Sequence, residues 1–375
     1  MSRVLHLYAG NLYGGIERLL DSLARLKRHA PEMEPEFGLC FRGRMWDELA
    51  AAGVPLHDLG AVRISRPWTV LRARRNLKAV LKQRKYDAVV CHACWPHVVF
   101  APAVRASGVR LINWVHDDLK GKHWIERWAS RTPPDAVIVN SDFSAKSVAK
   151  VFPNVPSEVV YYPIEGAVIA DPSATRTAVR AELNTPDDAV VILLASRLER
   201  WKGADVFVEA LGKLVSVPGW IAWLAGGPQR PSEQAYYQKL QHRVIELGLH
   251  DRVRFLGQRS DVPQLMVAAD IFCQPNTGPE PFGVVFIEAL VASLPVVTSD
   301  IGGGQETINA TCGILTKPDD PESVARAIQT LIVNPGERRR LGAAGPSRAR
   351  TLCDATRQLP AISRVIFNTK PAGVS

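Results

Sequence analysis

The sequence predicts an α/β protein built from two Rossmann-like halves, each a doubly wound parallel sheet. Three observations carry that expectation. Short apolar runs alternate with helical stretches along the whole chain, the pattern of parallel strands joined by crossover helices. The runs form two series, separated by a stretch at about 163–172 where Gly, Pro and small residues gather. The length of 375 residues is enough for two cores of ordinary size.

The first series opens with the strand 4–8 and a helix over 15–27. It continues with a buried strand at 88–91, a turn and a helix over 98–106, then the strand 110–115 leading to a loop, and 136–140 leading to 143–151. The second series places strands at 190–195, 221–225, 252–256, 271–274 and 295–298, after an opening helix over 174–183. The predicted domains are 1–165 and 166–358. A last helix at about 359–367 is expected to return to the first domain, and the Pro-, Gly- and Ser-containing tail 368–375 to fray.

Composition narrows the function. A hydrophobic content of 46% fits a globular enzyme. No apolar run reaches the roughly 20 residues needed to span a bilayer, and residues 1–3 lead straight into a strand, so a cytoplasmic protein is expected. The six cysteines are scattered in apolar surroundings and read as reduced core thiols. Cys91-His92-Ala93-Cys94, with His97 nearby, has the residue types of a metal site, but no second Cys pair lies at zinc-finger spacing.

The net charge of +9 is uneven: residues 1–165 carry 24 Lys and Arg against 16 Asp and Glu, and residues 166–375 carry 22 against 21. Much of the excess lies in 72–85, where Leu77, Val80 and Leu81 make one helical stripe. That basic helix is either a solvated face or a surface for anionic lipid headgroups or an anionic acceptor. No nucleic-acid motif accompanies it.

The densest chemistry lies in 279–289. Glu280 and Glu288 bracket a Pro-Phe-Gly turn and the start of an apolar helix, whose free backbone N–H groups suit an anion. With most of the eight steps helical at about 1.5 Å each, the two acids would stand roughly 10–12 Å apart. That exceeds the ~5–9.5 Å of a hydrolase pair, and suggests acids gripping two ends of one long ligand.

This Glu-x7-Glu pattern, with Pro-Phe-Gly after its first Glu, resembles the retaining glycosyltransferases of family 4, which have the two-domain GT-B fold. Other segments carry the same resemblance in order. Ser196-Arg197-Leu198-Glu199-Arg200-Trp201-Lys202-Gly203 is similar to the family's Gly-Arg-Leu-x-x-x-Lys-Gly, with Ser196 in place of Gly. Gly14-Gly15-Ile16-Glu17-Arg18 resembles its Gly-Gly-x-Glu-Arg opening. His116 ends a first-domain strand where the family usually carries a His reaching the donor sugar. Gly226 and Gly257 lie in loops that resemble nucleotide-lining segments. Gly302-Gly303-Gly304-Gln305-Glu306 departs slightly from the family's Gly-Gly-x-x-Glu.

The resemblance implies a site between facing domains and a role for each residue. Glu280 would bind hydroxyls of the transferred sugar and Glu288 the ribose. Backbone N–H groups of Phe282, Gly283, Val284 and Val285 would hold sugar and phosphates. Arg197 and Lys202 would neutralise the departing diphosphate, while Gly14 and Gly15 would let the backbone approach donor phosphate or acceptor. The donor would be a UDP- or GDP-sugar, and the acceptor a hydroxyl of a glycan, lipid-linked or small molecule. Asp117-Asp118 is not the Asp-x-Asp of the metal-dependent architecture, so no metal cofactor is required. Retention is expected by front-face attack. The rival readings are a sugar-nucleotide epimerase of the same fold and a catalytically idle nucleotide-sugar-binding module.

Overall fold

The computed structural model describes residues 1–10, 13–167 and 169–368. Asn11 and Leu12 of the opening glycine-rich turn, Val168 in the joining stretch and tail residues 369–375 lie outside them. The chain divides into two compact units: Met1–Glu165 together with the segment from Cys353, and Gly166–Leu352.

The first unit contains seven strands: β1 (Ser2–Tyr8), β2 (Met33–Leu39), β3 (Leu56–Asp58), β4 (Ala88–His92), β5 (Arg110–Val115), β6 (Ala136–Val139) and β7 (Ser157–Val159). They pair in the order β3-β2-β1-β4-β5-β6-β7, all parallel. The chain reverses its direction of travel across the sheet between β1 and β4. In such sheets the crevice outside the carboxyl ends of those two strands is the natural ligand site. The final helix, Ala355–Phe367, belongs to this unit: Arg110 Nε donates to the Ile366 carbonyl at 2.7 Å, and Arg364 pairs with Glu158 at 2.5 Å.

The second unit contains β8 (Val190–Ala195), β9 (Trp220–Ala225), β10 (Val253–Gly257), β11 (Ile271–Gln274), β12 (Val296–Ser299) and β13 (Gly313–Thr316). Their order is β10-β9-β8-β11-β12-β13, again parallel, with the reversal between β8 and β11. Trp220 and Trp223 on β9 are buried, and Phe207 and Leu211 from the Ala204–Gly212 helix fill the core beside Trp220.

Several local expectations change. The helix expected over 15–27 ends at Arg25 and continues as a 3₁₀ turn, Lys27–His29. The helix expected from 98 begins at Cys94, directly after Ala93, which turns the chain at φ 73°. Pro96 stands in the first turn of this helix, where a missing N–H removes no bond. The basic helix is Pro67–Gln83, so Arg84 and Lys85 lie beyond it. Two cations of that run point at the protein: Arg74 Nε donates to the Val99 carbonyl at 2.6 Å, and Arg84 pairs with buried Glu36 at 2.8 Å.

Candidate active site

The chemistry-bearing residues of the second unit collect at the carboxyl ends of β8 and β11. After β8 the chain passes Ser196 and Arg197 and forms a 3₁₀ turn, Arg200–Lys202, which delivers Lys202 beside the loop leaving β11. The Lys202 ammonium meets Glu280 Oε2 at 2.5 Å, and both side chains are largely buried. The Trp201 ring lies under the same ammonium, 4.0 Å from its centroid. A cation from one side of the strand reversal thus holds a carboxylate from the other.

The backbone forces this meeting. The amides of Thr277 and Gly278 both donate to the Trp201 carbonyl, at 2.9 and 3.3 Å. Gly203 sits in the left-handed region at φ 74°, and a Cβ there would lie 1.8 Å from the Pro275 carbonyl oxygen. Gly203→Ala should therefore cost more than the ~1–2 kcal/mol of the left-handed conformation, because the two loops must also part. The expected result is a lower denaturation midpoint together with weakened nucleotide binding. A variant with wild-type values for both would show that the turn is free to move.

Glu280 is gripped from its other side by the glycine loop after β12. Gly303 N donates to the Glu280 carbonyl at 2.6 Å, and a Cβ on Gly303 would come within 2.2 Å of the Pro281 oxygen. The run of three glycines thus lets backbone approach backbone. Glu306 contributes its carbonyl to this brace, accepting from Arg348 at 2.5 Å.

The helix after the Pro-Phe-Gly turn is Val284–Val291, with Gly283 as its N-cap. The stretch between the two acids is therefore not mostly helical: 280–283 is irregular and only 284–288 lies in the helix. This removes the premise of the 10–12 Å separation. Phe282 is buried, its carbonyl accepting from Thr307 Oγ1 at 2.9 Å, and the first-turn amides of Val284 and Val285 lead the helix. Glu288 is half-buried one turn further on. Beyond β9 and β10, Gly226 N donates to the Gly257 carbonyl at 2.8 Å, so those loops close beside the Arg197 segment. Arg197 is half-exposed and 3.2 Å from Glu199.

Two residues that sequence reasoning missed floor this site. Buried Gln274, at the end of β11, donates to Asn276 Oδ1 at 2.8 Å, while its own Oε1 has no partner among the described residues. In the sequence it is only the last residue of an apolar strand.

In the first unit, Gly14 caps the first helix. Its N–H donates to buried Glu17 at 2.8 Å, so the Glu of the opening motif braces the turn. His116 follows β5 and belongs to a row of three buried imidazoles on adjacent strands. His6 Nδ1 lies 3.0 Å from His92 Nε2, His92 Nδ1 3.1 Å from His116 Nε2, and His116 Nδ1 2.5 Å from the Tyr162 hydroxyl. Burial pushes the pKa of both His6 and His116 down to about 3, and that of His92 well below its usual value, so the row is neutral. Each neutral ring has one donor and one acceptor nitrogen, so the contacts couple the three tautomers; His92 and His116 use both nitrogens, while buried His6 Nε2 has no partner among the described residues. Both His116 nitrogens are engaged, so a ring contact to a ligand must exchange one of these bonds. Among the described residues no group of three or more His, Cys, Asp or Glu could hold a metal ion.

Two doubly wound parallel sheets, with an anion-suited helix start and a cation–carboxylate pair at one strand reversal, define a GT-B glycosyltransferase fold. Two family models match end to end, "Glycosyltransferase Family 4" over residues 13–165 and "Glycosyl transferases group 1" over 175–348. The chain belongs to the group 1, family 4 glycosyltransferases. It is 31% identical over 234 residues to the D-inositol 3-phosphate glycosyltransferase of Kineococcus radiotolerans, covering 57% of this chain and 53% of that protein. It is 28% identical over 214 residues to the lipopolysaccharide core biosynthesis mannosyltransferase LpsB of Rhizobium meliloti, covering 56% and 58%. The chain thus spans about half the length of the curated relatives it matches. Among solved structures, Anabaena Alr3699/HepE in complex with UDP-glucose matches with a TM-score of 0.85 at 25% identity, over 98% of this chain and 100% of that one.

Proposed function

We propose that the protein transfers a sugar from a UDP- or GDP-sugar to a hydroxyl of a glycan, lipid-linked or small-molecule acceptor, with retention of anomeric configuration. The observation that carries this reading is the Lys202–Glu280 pair across the reversal between β8 and β11. A carboxylate there suits sugar hydroxyls, and the ammonium beside it suits the diphosphate that leaves from the anomeric carbon of the same sugar. Arg197 adds a second cation for that diphosphate, and the Phe282–Val285 amides offer donors at a helix start. Glu288 is assigned to the ribose hydroxyls, and the Gly226 and Gly257 loops to the nucleotide. In the first unit, His116 is assigned to the donor sugar, and Gly14 and Gly15 to donor phosphate or acceptor. The bound UDP-glucose of the Anabaena protein supports a uridine donor.

In the reaction the bond from the anomeric carbon to the phosphate oxygen breaks as the acceptor oxygen bonds to that carbon from the same face. The acceptor's proton goes to a donor phosphate oxygen. Arg197 and Lys202 stabilise the charge that accumulates on the nucleoside diphosphate, so transfer is expected in the presence of a chelator. Peripheral contact with an anionic membrane through the basic segment 72–85 is part of the same proposal. No helix among the described residues is long and apolar enough to cross a membrane.

The test is thermal stabilisation by UDP, GDP and their sugars without added metal. A nucleotide at about 100 times its dissociation constant should stabilise by roughly 2.7 kcal/mol. Glu288→Ala should lose most of that shift while remaining folded. An unchanged shift in that variant would refute the ribose assignment, and no shift with any nucleotide in the wild type would favour an idle module.

A further inference from the structure

The basic run holds an asymmetry that its charge alone did not reveal. Between Arg63 and Lys85 the chain has nine Lys and Arg and no Asp or Glu. The Pro67–Gln83 helix buries Thr69, Ala73 and Leu77 and half-buries Val70, Val80 and Leu81. Its opposite face presents Trp68, Leu71, Arg72, Arg75, Lys78, Ala79 and Lys82, all exposed. These positions recur at three- and four-residue steps and share about one third of the helix circumference. Arg72, Arg75, Lys78 and Lys82 make no ion pair with an acid among the described residues, whereas inward-turned Arg74 and Arg84 are satisfied within the unit.

The apolar members of this face, Trp68 at 62% and Leu71 at 64% exposed, are concentrated at its start, and Ile64, 43% exposed, lies in the turn just before the helix. These are three of the nine large apolar side chains exposed among the described residues, and they fall within eight consecutive positions. The turn that presents them is fixed: Thr69 Oγ1 accepts from Arg63 N at 3.0 Å and donates to the Arg66 carbonyl at 2.6 Å. An exposed Trp, Leu and Ile held on a rigid turn are expensive in water and call for a partner.

We infer that this face docks on an anionic bilayer, with Ile64, Trp68 and Leu71 entering the boundary between headgroups and acyl chains and Arg72, Arg75, Lys78 and Lys82 lying at the phosphates. A polyanion in water would meet the cations but leave the apolar trio wet. A bilayer surface accommodates both, because its interface places anionic oxygen and hydrocarbon within one side-chain length. Cations and apolar insertion together supply the two signals that stable peripheral binding needs. The inference deepens the proposed lipid-linked acceptor and moves the contact toward the amino-terminal end of the basic run, leaving out Arg74 and Arg84.

The experiment is sedimentation of the full chain with phosphatidylcholine vesicles, with and without about one third phosphatidylglycerol. The wild type should bind the anionic vesicles and largely ignore the neutral ones. The triple variant R72A/R75A/K78A should lose about fivefold in partitioning per cation, on the order of 100-fold in all. Trp68→Ser with Leu71→Ser should lose tenfold or more, and its residual binding should vanish at physiological salt. Ile245→Ser, removing an exposed apolar side chain of the second unit, should change nothing. Absence of vesicle binding by the wild type overturns the inference. So does binding that salt abolishes but the Trp68 and Leu71 changes leave intact, which would mark a polyanion surface. Nucleotide-induced stabilisation, measured on every variant, keeps this outcome separate: it reports the donor site and is expected to be unchanged throughout.

Discussion

Lys202→Met should slow sugar transfer by roughly 100- to 1000-fold, the loss seen when one preorganised donor to a developing anion is removed. It should also destabilise the second unit, because the substitution leaves Glu280 buried without its cation. Breaking such a pair costs about 3–5 kcal/mol, most of it from the stranded charge rather than from the lost attraction. The two effects separate in a double-mutant cycle. Glu280→Gln removes the stranded charge, so Lys202→Met/Glu280→Gln should recover most of the stability lost by Lys202→Met alone. It should recover none of the rate, since the diphosphate still lacks its ammonium and the sugar its carboxylate. Denaturant midpoints and donor turnover, measured on the same four proteins, decide the matter. If Lys202→Met stayed within tenfold of wild type in turnover, Lys202 would be a structural partner of Glu280 with no part at the leaving group.

That pair also marks how far the sequence could be read. Each partner stands in a legible motif: Lys202 closes a turn after an apolar strand, and Glu280 precedes a helix start. Their contact joins residues 78 positions apart, and nothing in either motif announces it. Only the β8–β11 adjacency brings them together. The strands read correctly are those buried on both faces, such as β4, β5, β8 and β9, whose uninterrupted apolar runs carry their own signal. β2 was missed for a physical reason. Its sequence, Met-Glu-Pro-Glu-Phe-Gly-Leu, puts a proline and two acids in an interior strand, where proline argues against a strand. Glu36 is tolerated because Arg84, His57 and Tyr86 converge on it from elsewhere in the unit. β3 and β7 are three residues each, too short to show a period. His116 was singled out as an isolated strand-end residue. Its real setting, a row with His6 and His92, depends on the order β1-β4-β5, which no local pattern reveals.

The same row makes the first unit acid-labile in a window set by histidine. A buried neutral ring with a depressed pKa binds fewer protons than it does in the unfolded chain. Between the unfolded value of 6.5 and the folded value of about 3 for His6 and His116, the unfolded state therefore takes up the proton and stability falls as pH falls. Each ring then costs about 1.4 kcal/mol per pH unit, or roughly 2 kcal/mol at pH 5. His97, lowered mainly by burial to about 4, adds a similar loss, so these three rings together lose on the order of 6 kcal/mol at pH 5, and His92, also pushed down by burial, acts in the same direction. That is comparable to the whole stability of an ordinary domain. The second unit has only His242 and His250, both exposed, and should keep its stability through the same window. Peptide-resolved hydrogen exchange from pH 7 to 4.5, corrected for the intrinsic rate, should show β1, β4 and β5 opening together while β8, β9 and β11 stay protected. Ordinary carboxylates titrate mainly below this range, so the slope belongs to the imidazoles. His6→Gln removes one titrating ring at the end of the row, and should flatten the pH dependence by about one proton even though some stability is lost at every pH. Uniform protection of both units down to pH 4.5 would mean that the row accepts protons in place, which its burial argues against.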